Sequence, residues 1–135
     1  MKLLTRETDY AIRTLGCIAA TKENTVTVTD LAKKLNMPRS FLRKILQLLS
    51  SKKLLKSFKG AGGGFALAVE PEEITILNVM EIFQGQFRLQ EHIFRGKACP
   101  EIKTCTLKKK IDKMEEELIV KLKSITITDL LKGQK

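Results

Sequence analysis

The sequence predicts a mainly α-helical fold with one small β-hairpin, and three patterns support this prediction. Apolar residues recur at helical spacing in four segments between residues 8 and 85. Two short alternating segments flank the glycine-rich stretch GAGGG, which is typical of a hairpin with a loose tip. Beyond residue 105, apolar residues recur every three or four positions as far as residue 125, which predicts one long helix.

The length and composition limit the class of protein. A chain of 135 residues can bury a core without disulfide bridges, and we expect one compact domain with an added oligomerisation element. No run approaches the roughly 18–20 apolar residues of a membrane span, and the charged start MKLLTRETDYAIR argues against a signal peptide. We therefore expect a cytoplasmic protein with reduced cysteines and no membrane partner.

The first helix is predicted from about Thr8, because apolar residues then share one face. These residues are Ala11, Ile12, Leu15, Ile18 and Ala19. Cys17 lies beside that face, and we interpret it as a small buried side chain. The stretch NTVTVTD alternates valine with threonine and predicts a short strand. Thr29 or Asp30 is then expected to cap a short second helix that ends at Asn36.

The third helix follows the turn NMP, because Pro38 suits a first helical position, where its missing N–H costs nothing. Its apolar stripe consists of Leu42, Ile45, Leu46 and Leu49. The other side carries Arg39, Ser40, Arg43, Lys44 and Gln47. Two helices joined by a short turn, the second with a cationic face, form a helix-turn-helix pattern, whose second helix can enter the DNA major groove. The alternative is a solvated helix face in an unrelated helical protein.

The segment LLKSFKGAGGGFALA alternates on both sides of its glycines and predicts the hairpin. Lys56 and Lys59 bring positive charge to it, and the glycines let the backbone approach another surface closely. The stretch GAGGGF lacks the spacing of a nucleotide-binding loop. A hairpin directly after a helix-turn-helix is the order of a winged helix, in which the wing tip contacts a phosphate backbone or the minor groove.

Two further helices are expected. Thr75 can cap the first of them and Gly85 can end it, and its inward residues are Ile76, Val79, Met80 and Phe83. The apolar seam of the long helix comprises Leu107, Ile111, Met114, Leu118, Leu122 and Ile125. Because a helix of about 20 residues spans about 30 Å, it is too long to pack wholly against so small a domain. We expect it to form a homodimer interface.

The net charge of +10 is concentrated in one half of the chain. Residues 1–68 contain thirteen Lys or Arg and four Asp or Glu, whereas residues 69–135 contain twelve and eleven. No acidic residue occurs from Leu31 to Val69, where nine basic residues lie. A field of one sign attracts a polyanion, so nucleic acid is the leading partner and an anionic membrane surface the weaker one.

These patterns divide the chain into three parts. We expect a winged helix-turn-helix DNA-binding domain over residues 1–85, a cysteine loop over residues 86–105, and a dimerisation helix with a C-terminal segment over residues 106–135. Catalysis is not expected, because the chain offers no paired acid and base with a nucleophile.

Four segments of the chain resemble the Rrf-two family of bacterial winged-helix transcriptional regulators. They are LTRETDYAIRTL, VTDLAKKLNMPRSFLRKILQLL, GAGGGFALAVEPEEITILNVMEIFQG and a cysteine loop that leads into a long helix. The resemblance implies a homodimer that binds a double-stranded DNA operator. It also implies DNA contacts from Arg39, Ser40 and Arg43 at the start of the second helix of the motif, and from Lys59 and Gly60 in the wing.

The same resemblance suggests a sensing role for the cysteine loop. Some members of the family hold an iron–sulfur cluster there through three cysteines, with five residues between each and the next. Cys99 and Cys105 match the second and third of these, but Ile93 stands at the first position. The resemblance therefore implies Cys99 and Cys105 as metal ligands, with His92, or Asp9 from the first helix of a partner subunit, as further candidates.

The residues leave the chemistry of this loop open. Cys105 directly precedes the long helix and has lysines around it, a setting that favours the thiolate needed for both metal binding and oxidation. An iron–sulfur cluster, a metal-free thiol or disulfide sensor, and a loop that senses no cofactor are all consistent with the sequence. For the whole chain, an RNA-binding winged helix and a regulator controlled by a partner protein are the alternatives.

Overall fold

The computed structural model of the chain describes residues 2–21, 25–61, 63–89 and 106–132. In order, it contains the helices α1 (Arg6–Ala20), α2 (Val28–Leu35) and α3 (Arg39–Ser51), the strands β1 (Leu55–Phe58) and β2 (Gly64–Leu67), a 3-10 turn (Pro71–Glu73), and the helices α4 (Ile76–Gln84), α5 (Thr106–Ser124) and α6 (Ile127–Lys132). The predicted mainly helical fold with one antiparallel hairpin is confirmed. None of the helices in these ranges is long and apolar enough to cross a membrane.

The hydrophobic core is shared by all six helices in the described residues. Its fully buried members include Ala11, Leu15, Leu31, Leu42, Leu46, Leu49, Ile74, Val79 and Ile127. Residues from α1, α2, α3, α4 and α6 thus meet in one cluster, to which α5 adds Leu122. Burial of this apolar surface fixes the rotation of each helix about its axis, and therefore decides which side chains face outward.

Threonine caps set the starts of α1 and α2, and both helices begin earlier than the sequence predicts. The Oγ1 of Thr5 accepts the backbone N–H of Thr8 at 3.2 Å, so α1 begins at Arg6. The Oγ1 of Thr27 accepts the N–H of Asp30 at 3.1 Å, so the prediction of Thr29 or Asp30 as the cap is wrong. A capping threonine accepts a backbone N–H that has no acceptor within the helix. Because any of several neighbouring threonines could do this, the sequence alone does not show which of them is the cap.

The third helix follows the predicted pattern closely. Pro38 is the cap residue and Arg39 the first helical residue, one position later than expected. The stripe of Leu42, Ile45, Leu46 and Leu49 is buried as predicted. Asn36 ends α2 in a left-handed conformation with φ of 53°, which produces the sharp turn between α2 and α3.

The hairpin is attached to the start of α2 by a short antiparallel pairing. Within the hairpin, Leu55 pairs with Leu67 and Phe58 with Gly64. Val26 and Phe65 exchange two backbone hydrogen bonds, of 2.9 and 2.8 Å, so the predicted strand before α2 is reduced to a single bridge. A Cβ at Gly64 would lie 2.6 Å from the carbonyl oxygen of Val26, so only glycine permits this close approach.

A second pairing attaches the end of the long helix to the core. The helix α5 ends at Ser124, and the N–H of Ile76 donates to the carbonyl of Ile125 at 2.9 Å. The N–H of Ile127 donates in turn to the carbonyl of Ile74 at 3.0 Å, and the Ile127 side chain is completely buried. The predicted cap Thr75 and stop Gly85 of α4 are both confirmed. The C-terminal helices are therefore anchored on α4 and α1.

Substitutions at two glycines test how the wing is attached. Gly64→Ala should lower the free energy of unfolding by about 1–3 kcal/mol, because the methyl group meets the Val26 carbonyl and the residue has φ of +155°. Thermal unfolding followed by circular dichroism measures the effect. Gly16→Ala in α1 is the matched control, because nothing lies within 4 Å of its added Cβ. The control should gain up to about 1 kcal/mol, and an equal Tm for the two variants would contradict the assigned approach.

Candidate nucleic-acid interface

The side of α3 that faces away from the core is polar and cationic. Arg39, Ser40, Arg43, Lys44 and Gln47 are all exposed. Their orientation follows from the burial of the leucine and isoleucine stripe on the opposite side of the same helix. The five side chains predicted on this face are therefore available to a ligand.

A groove of about 570 Å³ separates α3 from the wing. From α3 it is lined by Arg39, Arg43, Gln47 and Ser50, and from the wing by Ser57, Phe58, Lys59, Gly63, Gly64 and Phe65. Thr27, Val28 and Thr29 at the start of α2 close one end. Since the Val26–Phe65 pairing holds the wing against α2, the same contact that orders the hairpin also shapes this groove.

The structure brings together four of the residues predicted for nucleic-acid binding. Arg39, Arg43 and Gln47 from α3 and Lys59 from the wing line one groove. Ser40 and Lys44 are exposed on α3 without lining it. Gly60 lies near the wing tip with φ of +88° and no atom within 4 Å of a hypothetical Cβ, so the backbone there is open to an approaching surface.

Phe58 also lines the groove, although its place in the hairpin segment predicts only a strand residue. Its side chain is 49% exposed, although it is a large aromatic residue. It pairs across the hairpin with Gly64, which has no side chain to cover the ring. The sequence signal that could have identified Phe58 is its strand position on the outer face of the hairpin, opposite a glycine that cannot cover the ring. Thr27 and Thr29 also line the groove, although the sequence predicts only a place in a short strand for Thr27 and a helix cap for Thr29.

The cations of this surface are not neutralised by any acidic residue of the described chain. No acidic residue occurs from Leu31 to Val69, the stretch that contains α3 and the wing. In the ranges that the structure describes, neither Arg39, Arg43, Lys44 nor Lys59 is within 4.0 Å of a carboxylate. Unpaired guanidinium and ammonium groups around an open groove favour a polyanionic ligand.

A second groove, of about 830 Å³, runs along α1 on another side of the molecule. Asp9, Arg13, Cys17, Lys34 and Leu130 are among its lining residues. Both carboxylate oxygens of Asp9 accept from Nε of Arg13 at 3.3 Å. Cys17 is half-buried, whereas a buried position was expected. Asp9, the predicted ligand in trans, is thus accessible and is held by an exposed ion pair.

The remaining predicted ligands, His92, Cys99 and Cys105, lie outside the described residues, as does Ile93. The described chain flanks them on both sides. On one side, the N–H of Leu89 donates to Oε1 of Glu115 in α5 at 2.8 Å, and on the other α5 begins at Thr106. Among residues that the structure describes, no group of three or more His, Cys, Asp or Glu is arranged to hold a metal.

Comparisons with known proteins agree with this architecture. A putative HTH-type transcriptional regulator of Aquifex aeolicus is 32% identical over 90% of the chain and 86% of its own length. The HTH-type transcriptional regulator NsrR of Bacillus subtilis is 26% identical over 97% of the chain and 91% of its own length. The structure of CymR, the global cysteine regulator of B. subtilis, matches with a TM-score of 0.83 and 20% identity, and each chain is covered completely.

The family comparison covers nearly the whole chain. Residues 4–133 match the Rrf2 family, described as an iron-dependent transcriptional regulator. Members of this family are regulators and not enzymes, in agreement with the absence of catalysis expected from the sequence. The match includes both helices of the helix-turn-helix, the wing and the long helix. The chain therefore belongs to the Rrf2 family of transcriptional regulators.

Proposed function

We propose that this regulator binds duplex DNA directly, with α3 in the major groove and the wing on an adjacent backbone. The observation that carries the proposal is the groove in which Arg39, Arg43, Gln47 and Lys59 meet, with no carboxylate of the described residues within 4.0 Å of these cations. A helix of thirteen residues is about 20 Å long and fits a major groove about 12 Å wide. Such a regulator acts in the cytoplasm, where bacterial DNA lies.

We assign the side chains two roles by their chemistry. Arg43 and Gln47 are exposed on α3 and line the groove, and Arg can pair with guanine and Gln with adenine. Arg39, Ser40 and Lys44 are exposed on the same helix and are suited to phosphates. Lys59 and the open backbone at Gly60 supply the wing contact. Specificity then comes mainly from Arg43 and Gln47.

The exposed seam of α5 supports a homodimer as the active form. Leu107 is 66% and Met114 51% exposed, and Ile111 and Leu118 of the same seam are only half-buried. These residues share one face at near-heptad spacing, while Leu122 near the end of the helix packs on the core. A second copy presents the same stripe. Two copies related by a two-fold axis beside α5 would therefore cover each other's stripe.

We propose that the segment between Leu89 and Thr106 senses iron or redox state through Cys99 and Cys105. The family description as iron-dependent supports this role. Two thiolates are too few for an iron–sulfur cluster, which takes four ligands, so a further donor is required. Asp9 fits that need, because an exposed ion pair with Arg13 contributes at most about 1 kcal/mol and is readily exchanged. If a cluster were bound, its bonds to these ligands would restrict the conformations of the loop.

The attachments of this segment explain how its state can reach the DNA-binding half. One end is bonded to Glu115 and the other continues into Thr106, so both ends lie on α5, about 13 Å apart along its axis. The far end of α5 is fixed to α4 through the pairing of Ile125 with Ile76. A change in the segment therefore acts on a helix that connects the proposed dimer axis with the core.

Duplex DNA binding should fall steeply with salt. If several phosphates are contacted, the logarithm of the association constant falls linearly with the logarithm of salt, by about 0.9 per contact. Fluorescence anisotropy with DNA selected from a random pool measures this slope, and a footprint of two half-sites about one helical turn apart is expected of a dimer. Preference for RNA of the same sequence would support an RNA-binding winged helix instead. Weak binding until another protein is added would indicate partner control.

Arg43 should carry sequence preference. Arg43→Ala is expected to cost about 1–3 kcal/mol of binding free energy on the selected operator and to relax the preference at one base pair. Binding measured on the operator and on its single-base variants gives both quantities. Lys123→Ala, an exposed cation of α5, is the matched control and should leave base preference unchanged. Equal loss on every sequence would reassign Arg43 to a phosphate.

Iron should bind to the loop cysteines and not to the third cysteine. Protein purified without oxygen is expected to contain iron and acid-labile sulfide and to absorb visible light. Cys105→Ser should remove the iron because it removes a ligand, and Asp9→Asn should weaken its retention. Cys17→Ser changes the cysteine of the α1 groove and is the control that should retain iron. Iron-free, colourless wild-type protein under these conditions would refute a native cluster.

A further inference from the structure

The N-terminal end of α1 forms an aromatic cluster with α3. The guanidinium of Arg6 lies 5.5 Å from the ring centre of Tyr10 and 5.8 Å from that of Phe41. The two rings are 5.5 Å apart in an edge-to-face arrangement with an interplanar angle of 82°. Both distances from Arg6 are within the range of a cation–π contact, so Arg6 is held by two rings at once.

This cluster borders the exposed face of α3 on the side away from the wing. Arg39 and Arg43 face the wing groove, whereas Phe41 is not among its lining residues. On the helix surface Phe41 is the neighbour of Lys44, three residues later, and both stand beyond Ser40 in the direction away from Arg39. The exposed face of α3 thus has basic groups at both borders: Lys59 of the wing on one side and Arg6 on the other.

The positive charge of Arg6 is available to a ligand. Arg6 is exposed, and within the described part of the chain it is not within 4.0 Å of a carboxylate. Asp9, one turn further along α1, is engaged with Arg13. Glu7 is exposed beside Arg6 in sequence, but adjacent helical residues point about 100° apart. A guanidinium that rests on aromatic faces keeps its in-plane N–H groups free for a planar or tetrahedral anion.

We propose that Arg6 is a further DNA-contacting residue, which binds the phosphate backbone on the edge of the major groove opposite to the wing. The inference rests on the proposed DNA binding by α3. A helix in the major groove lies between two phosphate backbones, and the wing reaches only one of them. Because Phe41 belongs to α3 itself, the rings fix the position of Arg6 relative to the helix that enters the groove.

The test compares two arginines of the same helix. Arg6→Ala should weaken operator binding roughly tenfold per subunit and reduce the salt slope by about 0.9 for each phosphate that is no longer bound. The loss should be equal on the operator and on its single-base variants, since a phosphate carries no sequence information. Arg13→Ala removes the same charge from α1, at a groove with no α3 residue among its described lining residues. Because Arg13 pairs with Asp9, a proposed iron ligand, all variants are compared as iron-free protein, in which Arg13→Ala should leave affinity and slope nearly unchanged.

A second pair of variants tests the role of the rings. Phe41→Leu keeps an apolar side chain but removes the aromatic face, so it should reduce the same affinity in part. Combined with Arg6→Ala it should add little, because both changes disrupt one interaction. Additive effects would overturn the positioning by Phe41. Thermal unfolding of each variant separates this effect from a failure to fold.

The outcomes distinguish this inference from the proposed function on which it rests. If the wild-type protein binds duplex DNA with a steep salt slope and the Arg6→Ala variant has the same slope, the role of Arg6 is refuted but DNA binding by α3 is not. A lower Tm for Arg6→Ala with unchanged DNA binding would assign Arg6 to holding α1 against α3, and would equally refute the proposal. Wild-type protein without salt-dependent binding would refute DNA binding itself.

Discussion

The antiparallel pairing of Val26 with Phe65 is the contact on which the geometry of the candidate interface depends. It consists of only two backbone hydrogen bonds, yet it joins the start of α2 to the second strand of the wing. A two-stranded hairpin alone is marginally stable in water, so the direction of the wing depends on this pairing together with the packing of Leu55, Phe65 and Leu67 on the core. The pairing requires a glycine at position 64, where any Cβ would meet the Val26 carbonyl. The groove between α3 and the wing exists because that approach is close.

A comparable short pairing fixes the other end of the molecule. Ile125 and Ile127 bond to Ile76 and Ile74, and the buried Ile127 side chain fills the core beneath. The C-terminal end of α5 is thereby attached to the domain, whereas its N-terminal part keeps Leu107 and Met114 uncovered. One helix thus has an anchored end and an exposed apolar surface. This division suits the proposed role of α5, in which it passes a change in the cysteine segment on to the core.

Periodicity was sufficient to predict α1 to α5, because the burial of one stripe on each helix is a local property of the sequence. It did not predict α6, a helix of six residues that is separated from the end of α5 by two residues. It also predicted Arg39, Arg43 and Gln47, since polar residues opposite a buried stripe must face outward. Contacts that depend on how the chain folds were harder to predict from the sequence. The exposure of Phe58 opposite Gly64 depends on how the two strands pair, and the contact of Arg6 with Phe41 depends on how α1 meets α3. The cap at Thr27 is a local bond to Asp30, but the sequence offers a similar bond at the neighbouring Thr29. Neighbouring threonines, or an arginine near a tyrosine, look alike in sequence whether or not such a contact forms.

The uneven charge of the chain links dimerisation to DNA binding in the proposed mechanism. Residues 1–68 have a balance of nine positive charges, and a homodimer brings two such halves into one particle. Their mutual repulsion opposes association, while the uncovered seam of α5 favours it. A polyanion that lies across both halves removes the repulsion without touching the seam. By linkage, a ligand that binds the dimer better than the monomer must also strengthen the dimer, and by the same factor. The seam therefore need not be strongly apolar, which agrees with a helix whose apolar residues are interleaved with lysine and glutamate.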